Sequence, residues 1–231
     1  MAEPSRKRIA AAVLDNYGRT FAGELGIPLE RATPSPLFRW LCASILFSAR
    51  IGTSIAANAA RALAEAGWTT AQKMADSTWA ERTRVLNRSG YARYDESTSR
   101  MLGEDAELLV SQYGGDLGRL REAARQDPEE ERTRLKEFKG MGDVGVDIFL
   151  REVQQVWKEV YPFVDKKSLK CARKLHIAAN ADELAALVPH RDFPRLIAGL
   201  VRVDLAAAHD KVVEAAHGSG KTTELSRELR A

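Results

Sequence analysis

Gly140-Met141-Gly142 lies between Leu135-Lys136-Glu137-Phe138-Lys139 and Asp143-Val144-Gly145-Val146-Asp147-Ile148-Phe149-Leu150, and its residue types suit it to holding an anion. Glycine takes positive φ at no steric cost and lets another backbone come close. A helix opening at about Asp143 would point its free N–H groups outward, where a phosphate fits. Farther on, Asp165 stands as a lone acid ahead of Lys166, Lys167, Lys170, Arg173 and Lys174. Of these, Lys166, Lys170, Arg173 and Lys174 share one helical face, a stripe able to neutralise several phosphates, with Leu169, Ala172 and His176 expected on the core side. Each pattern also has a plain structural reading. A Gly-x-Gly turn joins helices, a basic stripe is a solvated face, and an aspartate at a helix start is an N-cap.

The elements that must position these residues are helices. Apolar residues recur at spacings of three and four nearly throughout, and no run alternates with period two between turn residues, so the sequence predicts an all-α fold. Helices are expected at about 5–17, 36–48, 53–66, 78–87, 95–113, 116–125, 129–138, 143–156, 166–176, 181–187 and 192–208. Pro34-Ser35-Pro36 and Asp127-Pro128 mark two starts, the second followed by Glu129-Glu130-Glu131, whose charge suits a helix N-terminus. Leu37, Leu41, Ile45 and Leu46, widened by Trp40 and Phe47, make one helix central to the core. Leu135, Phe138, Met141, Val144 and Ile148 are expected to lock the two helices of the Gly-x-Gly turn together.

The 231 residues, 45% of them hydrophobic, suffice for one body or two lobes with a proper core. The formal net charge of +3 hints at a polyanionic partner without specifying one. Cys42 and Cys171 are too few for an all-cysteine iron–sulfur cluster or zinc site. The apolar run after Arg6-Lys7-Arg8 is interrupted by Asp15 and Asn16, and no run approaches the roughly 20 residues of a membrane span. A soluble, cytoplasmic protein with free thiols is therefore expected.

Hairpin, spacing and acid together resemble the helix-hairpin-helix DNA glycosylases of the endonuclease III superfamily, over about Pro34 to His209. Pro36-Leu37-Phe38-Arg39-Trp40-Leu41 through Leu46-Phe47-Ser48-Ala49-Arg50 is similar to that family's P-F-x-x-L-x-x-x-x-L-L-S-A-Q block. Leu135 to Leu150 resembles its L-P-G-V-G-x-x-T-A hairpin, and Val164-Asp165 with Ala172-Arg173-Lys174-Leu175 resembles its V-D-T-H stretch and the R-L that follows. The resemblance implies two helical lobes with double-stranded DNA, damaged or mismatched, bound across a cleft, a target nucleotide flipped out of the stack, and a monomeric, nucleoid-associated enzyme. The lobes would be a helical barrel over 34–152 and a second lobe from 1–33 and 153–215, followed by a tail at 216–231.

By the same resemblance Asp165 is the catalytic carboxylate, stabilising an oxocarbenium-like C1′ or orienting the attacking water. Lys139, Gly140, Met141, Gly142, Asp143 and Val144 would contact DNA, with a structural monovalent cation on the carbonyls of Lys139 and Met141. Arg50 stands where the family has a glutamine that fills the space of the flipped nucleotide, and Tyr91, after Ser89-Gly90, lies near the family's wedge loop. Lys166, Lys167, Lys170, Arg173 and Lys174 would be auxiliary DNA contacts. Three features depart from the family. Val144 occupies the position of the lyase lysine, so hydrolysis without a Schiff base is implied, and Lys139, Lys166 and Lys167, though near in sequence, do not occupy it. Lys166 and Lys167 replace the threonine and histidine after the aspartate, and the iron–sulfur loop is missing.

Other constellations fail. Gly218-Ser219-Gly220-Lys221-Thr222-Thr223 looks like the end of a P-loop, but Ala215 replaces the first glycine and no strand precedes it, so a flexible C-terminal segment is expected. His176, His190, His209 and His217 lack metal-ligand spacing, and only His209 with Asp204 and Asp210 invites inspection. Three functional classes remain: a monofunctional glycosylase, a catalytically silent DNA-binding protein of the same fold, and a helical scaffold for a protein partner.

Overall fold

A computed structural model describes the backbone of residues 4–228 and the side chains of residues 4–218. Among them every regular element is helical. In chain order the α-helices are α1 (Arg6–Tyr17), α2 (Phe21–Glu24), α3 (Pro34–Ser48), α4 (Thr53–Glu65), α5 (Ala71–Ala75), α6 (Trp79–Arg88), α7 (Asp95–Tyr113), α8 (Leu117–Ala123), α9 (Pro128–Leu135), α10 (Asp143–Val153), α11 (Lys166–Lys174), α12 (Ala181–Ala185), α13 (Phe193–Leu205) and α14 (His209–Glu228). Short 3₁₀ turns lie at Leu29–Arg31, Lys158–Val160 and His190–Asp192.

Local chemistry explains many of the helix starts. The side chain of Asp127 accepts from the N–H groups of Glu129 and Glu130 at 3.0 and 2.9 Å, with Pro128 in the first turn of α9. Thr78 and Glu81 form a reciprocal capping box at the start of α6. The stretch expected to be a flexible tail is instead helical, as α14 runs through it to Glu228. The side chains from Ser219 onward, including Lys221 and the two threonines of the P-loop-like stretch, lie outside the described residues.

The chain divides into two units, Ala22–Tyr161 and Met1–Phe21 with Pro162–Ala231. In the first, α3 is the central helix: Leu37, Phe38, Trp40, Leu41, Ile45 and Leu46 are all buried, and α4 and α10 pack against it. Trp40 Nε1 donates to the carbonyl of Phe149 in α10 at 3.1 Å, so the largest core side chain also satisfies its polar atom. Both α5 and α6 pack against α7.

The boundaries fall at 21/22 and 161/162, so residues 22–33 and 153–161 belong with the unit that holds the glycine hairpin. Specific bonds tie both segments there. Glu152 Oε2 accepts from Ala22 N at 2.8 Å, and Arg39 donates to the carbonyls of Leu25 and Gly26. Trp157 stands edge-on to Phe149 with ring centroids 5.5 Å apart.

In the other unit, α1 packs on α13 and α14, and α11 packs on α13. The crossing of α1 and α13 is close because Gly199 has no side chain: a Cβ there would come within 2.8 Å of Val13 Cγ1. Arg195 and Arg202 of α13 donate to the carbonyls of Gly18 and Arg19, holding the chain that leaves α1. Among the described residues no helix is long and apolar enough to cross a membrane.

Candidate functional site

The hairpin after α9 is built around one glycine at positive φ. Gly140 has φ of 81°, and a Cβ at this position would meet Ile45 Cγ2 of α3 at 3.0 Å. Gly142 differs from the sequence expectation. Its φ is −69° and nothing lies within 4 Å of where its Cβ would be, so the conformation does not demand glycine there. A third glycine matters more. A Cβ on Gly145, in the first turn of α10, would sit 3.1 Å from both the carbonyl oxygen of Gly140 and Met141 Sδ, so its hydrogen lets the helix close on the turn.

Gly142 is the N-cap of α10 and offers no side-chain acceptor. Among the described residues no acceptor meets the N–H groups of Gly142, Asp143 and Val144, leaving an uncapped helix N-terminus at the surface. Leu135, Phe138, Met141 and Ile148 are buried as expected, whereas Val144 is 60% exposed and locks nothing.

Two further elements hold the hairpin. Ser48, the last residue of α3, places its hydroxyl 3.2 Å from the carbonyl oxygen of Gly140 and 2.7 Å from that of Ile45, two acceptors for one proton. The Ser48-Ala49-Arg50 segment is thereby brought onto the hairpin, with Arg50 exposed two residues beyond the contact. From α7, Asp105 Oδ1 accepts from the backbone N–H of Lys139 at 2.6 Å. No hydrogen-bond donor among the described residues takes the carbonyls of Lys139 and Met141.

The charges around the hairpin are largely paired within the protein. Lys139 Nζ contacts Glu104, and the exposed Asp143 carboxylate lies 2.6 Å from Lys136 Nζ and 3.6 Å from Arg132. The hydrogen bond from Lys136, aided by its charge, holds the Asp143 carboxyl below its ordinary range. Arg132 also pairs with Asp147 at 2.6 Å. An incoming phosphate would meet neutral N–H groups beside side chains that must re-pair.

Asp165 lies in the other unit and is the N-cap of α11. Its Oδ1 accepts from the N–H groups of Lys167 and Ser168 at 2.9 and 3.0 Å, and its Oδ2 accepts from Ser168 Oγ at 2.7 Å. The residue is 4% exposed.

Beyond it, Lys166, Lys167, Lys170, Arg173 and Lys174 are all exposed, and a groove of about 430 Å³ is lined by Lys166, Leu169, Lys170, Arg173 and Lys174. Lys174 is paired with Asp204 at 3.2 Å and Arg173 donates to the carbonyl of Ala179 at 2.9 Å. Among the described residues no ion pair engages Lys166, Lys167 or Lys170.

Some expectations change. Tyr91 is fully buried, its ring tilted against Tyr94 at 6.5 Å, so it belongs to the core and offers no exposed wedge. The core side of α11 is Ser168, Cys171, Ala172 and Leu175; His176 has φ of 55° just past the helix end and is exposed. His209 Nε2 lies 3.7 Å from Asp204 Oδ1 and 3.6 Å from Cys171 Sγ. One nitrogen faces both neighbours, and burial pushes the thiol up to about 12, so this is no activated nucleophile. Among the described residues no group of three or more His, Cys, Asp or Glu could hold a metal ion.

Asp105 was missed in the sequence, although a signal was present. An acid at this position falls within the buried Leu102, Ala106, Leu109 stripe of α7. No family model matches the chain, and neither a curated protein nor a solved structure matches it significantly.

Proposed function

We propose that the chain is a helix-hairpin-helix DNA-repair glycosylase that hydrolyses the N-glycosidic bond of a damaged or mismatched base. The contact between Ser48 and Gly140 carries this reading, because it joins in space two segments whose resemblance to one family was read separately along the chain. The uncapped N-terminus of α10 supplies free N–H groups for a duplex phosphate, the carbonyls of Lys139 and Met141 would hold the monovalent cation, and Arg50 projects from the neighbouring loop. The cation would lend positive charge beside the phosphate.

In this reading the Asp165 carboxylate stabilises positive charge at C1′ as the base leaves, and water delivers its hydroxyl to that carbon while its proton leaves with the base. Val144 carries no amine, so no Schiff base forms and the abasic strand stays intact. Lys166, Lys167 and Lys170 add electrostatic contacts to the backbone.

One observation favours a second reading, a DNA-binding protein of this frame without catalysis. Both oxygens of Asp165 are already engaged by the start of α11, the ordinary work of an N-cap. Incubation with duplexes carrying a panel of damaged and mismatched bases separates the two. The first predicts alkali-labile abasic sites on at least one lesion; the second predicts salt-dependent binding to all and cleavage of none.

A further inference from the structure

We infer that Asp105 is the positioning residue of the hairpin, fixing from beneath the turn that would receive a duplex phosphate; this rests on the proposed DNA-binding role. Asp105 lies in α7, 34 residues before its partner, and Oδ1 accepts from Lys139 N at 2.6 Å. The residue is 3% exposed, and Oδ2 is buried with no partner among the described residues. A buried carboxyl oxygen left unsatisfied is unfavourable, so the position is not explained by packing economy. What the carboxyl does achieve is specific. It holds the amide immediately before Gly140, at the point where the chain enters positive φ.

The groups facing Asp105 are few. Glu104 stands beside it on α7, Lys139 faces it from the hairpin, and the buried thiol of Cys42 faces it from α3. Burial dominates and pushes the carboxyl up to about 7, opposed by the Lys139 N–H bond, with Glu104 raising it further. As a neutral carboxyl, Asp105 holds the amide without placing a second negative charge, beside that of Glu104, under the anion site. Once ionised it still accepts the bond but repels a phosphate. One residue thus contributes to both the geometry and the charge of the hairpin.

The test uses the full chain and three proteins: wild type, Asp105→Asn and Asp105→Ala. Hydrogen exchange of the free protein reads the geometry without DNA. The inference predicts that Asp105→Asn keeps the protection of the Lys139 amide, since the amide oxygen still accepts, while Asp105→Ala speeds its exchange about tenfold or more, with α3 and α10 unchanged. Unaltered exchange at Lys139 in Asp105→Ala, or loss of protection throughout the unit, overturns it.

Binding to an undamaged 20-base-pair duplex then reads the charge. Wild-type affinity should fall by about three- to tenfold between pH 6 and pH 8.5, and Asp105→Asn should flatten that profile. An identical slope in both proteins overturns the electrostatic half. Absence of duplex binding by the wild type would fail the proposed function instead, and the exchange measurement would still decide the geometric role.

Discussion

The carboxylate of Asp165 and the hydroxyl of Ser168 stand 2.7 Å apart inside the start of α11, where the same carboxylate takes the N–H groups of Lys167 and Ser168. The proposed catalytic group is therefore also a structural one, and its substitutions must be read on both scales. Asp165→Ala removes the cap and leaves the buried Ser168 hydroxyl only its longer bond, 3.3 Å, to the carbonyl of Ile197, which should lower stability by about 1–2 kcal/mol, measured by urea denaturation. Asp165→Asn keeps an oxygen for the cap and should stay within about 1 kcal/mol of wild type. Equal losses for the two would show that charge at the cap, and not its hydrogen bonding, holds α11.

The two hairpin glycines should behave differently. Gly140→Ala forces a side chain into φ of 81° against Ile45, and should destabilise by about 1–2 kcal/mol while weakening duplex binding. Gly142→Ala enters open space at an ordinary φ and should leave stability within about 0.5 kcal/mol. Thermal melting of both variants checks the contrast; equal effects would contradict the assigned turn geometry.

Salt dependence separates the free lysines from the paired ones. Lys166→Ala and Lys170→Ala should each lower the slope of log affinity against log salt by about 1, because each loses one phosphate contact. Lys174→Ala should change it less, since Lys174 already pairs with Asp204. Binding titrations at several salt concentrations give the slopes. A protein whose slope is unchanged by all three substitutions does not use this face of α11 for DNA.

A buried carboxyl pair sets the pH dependence of the hairpin unit. Glu131 of α9 is wholly buried and meets no N–H donor, facing instead Glu159, whose carboxylate takes two hydrogen bonds from Arg121. Burial, then the neighbouring carboxylate of Glu159, pushes Glu131 up to about 8. Burial also opposes the charge on Glu159, but the hydrogen bonds from Arg121 help outweigh it and keep that group below its ordinary range. Between about pH 4.5 and 8 the folded protein holds a proton on Glu131 that the unfolded chain has released, so stability should fall as pH rises through this window. Asp105, pushed up to about 7, acts in the same direction. The loss should be on the order of 5 kcal/mol or more. Glu131→Gln should remove part of that slope in urea titrations at pH 5 and pH 8.5. A stability that rises across this range would refute the proton held on Glu131.

Elements with full apolar periods were legible in the sequence. The range 95–113 coincides with α7, and α1, α3, α4 and α6 begin and end within two residues of expectation. The helices α2 and α5 were not, because four and five residues are too few to display a helical period. The hairpin could be read from its glycines, but not which of them needs positive φ, since that depends on how closely Ile45 approaches. Tyr91 misled because an aromatic between two helices carries no mark of which way it faces. The pairs Ser48–Gly140 and Asp105–Lys139 join residues 92 and 34 positions apart, a relation fixed by packing and not by any local pattern.

The most direct test of the glycosylase reading is abasic-site formation by wild type and Asp165→Asn on a panel of lesion-bearing duplexes, followed by alkali cleavage, with duplex affinity measured on the same samples. The account predicts alkali-dependent strand breaks with wild type on at least one lesion, and at least a hundredfold fewer, at unchanged affinity, with Asp165→Asn, on the order expected for losing electrostatic stabilisation of the transition state. Wild-type protein that binds every duplex but releases no base, or an Asp165→Asn protein that releases it as fast, would contradict it.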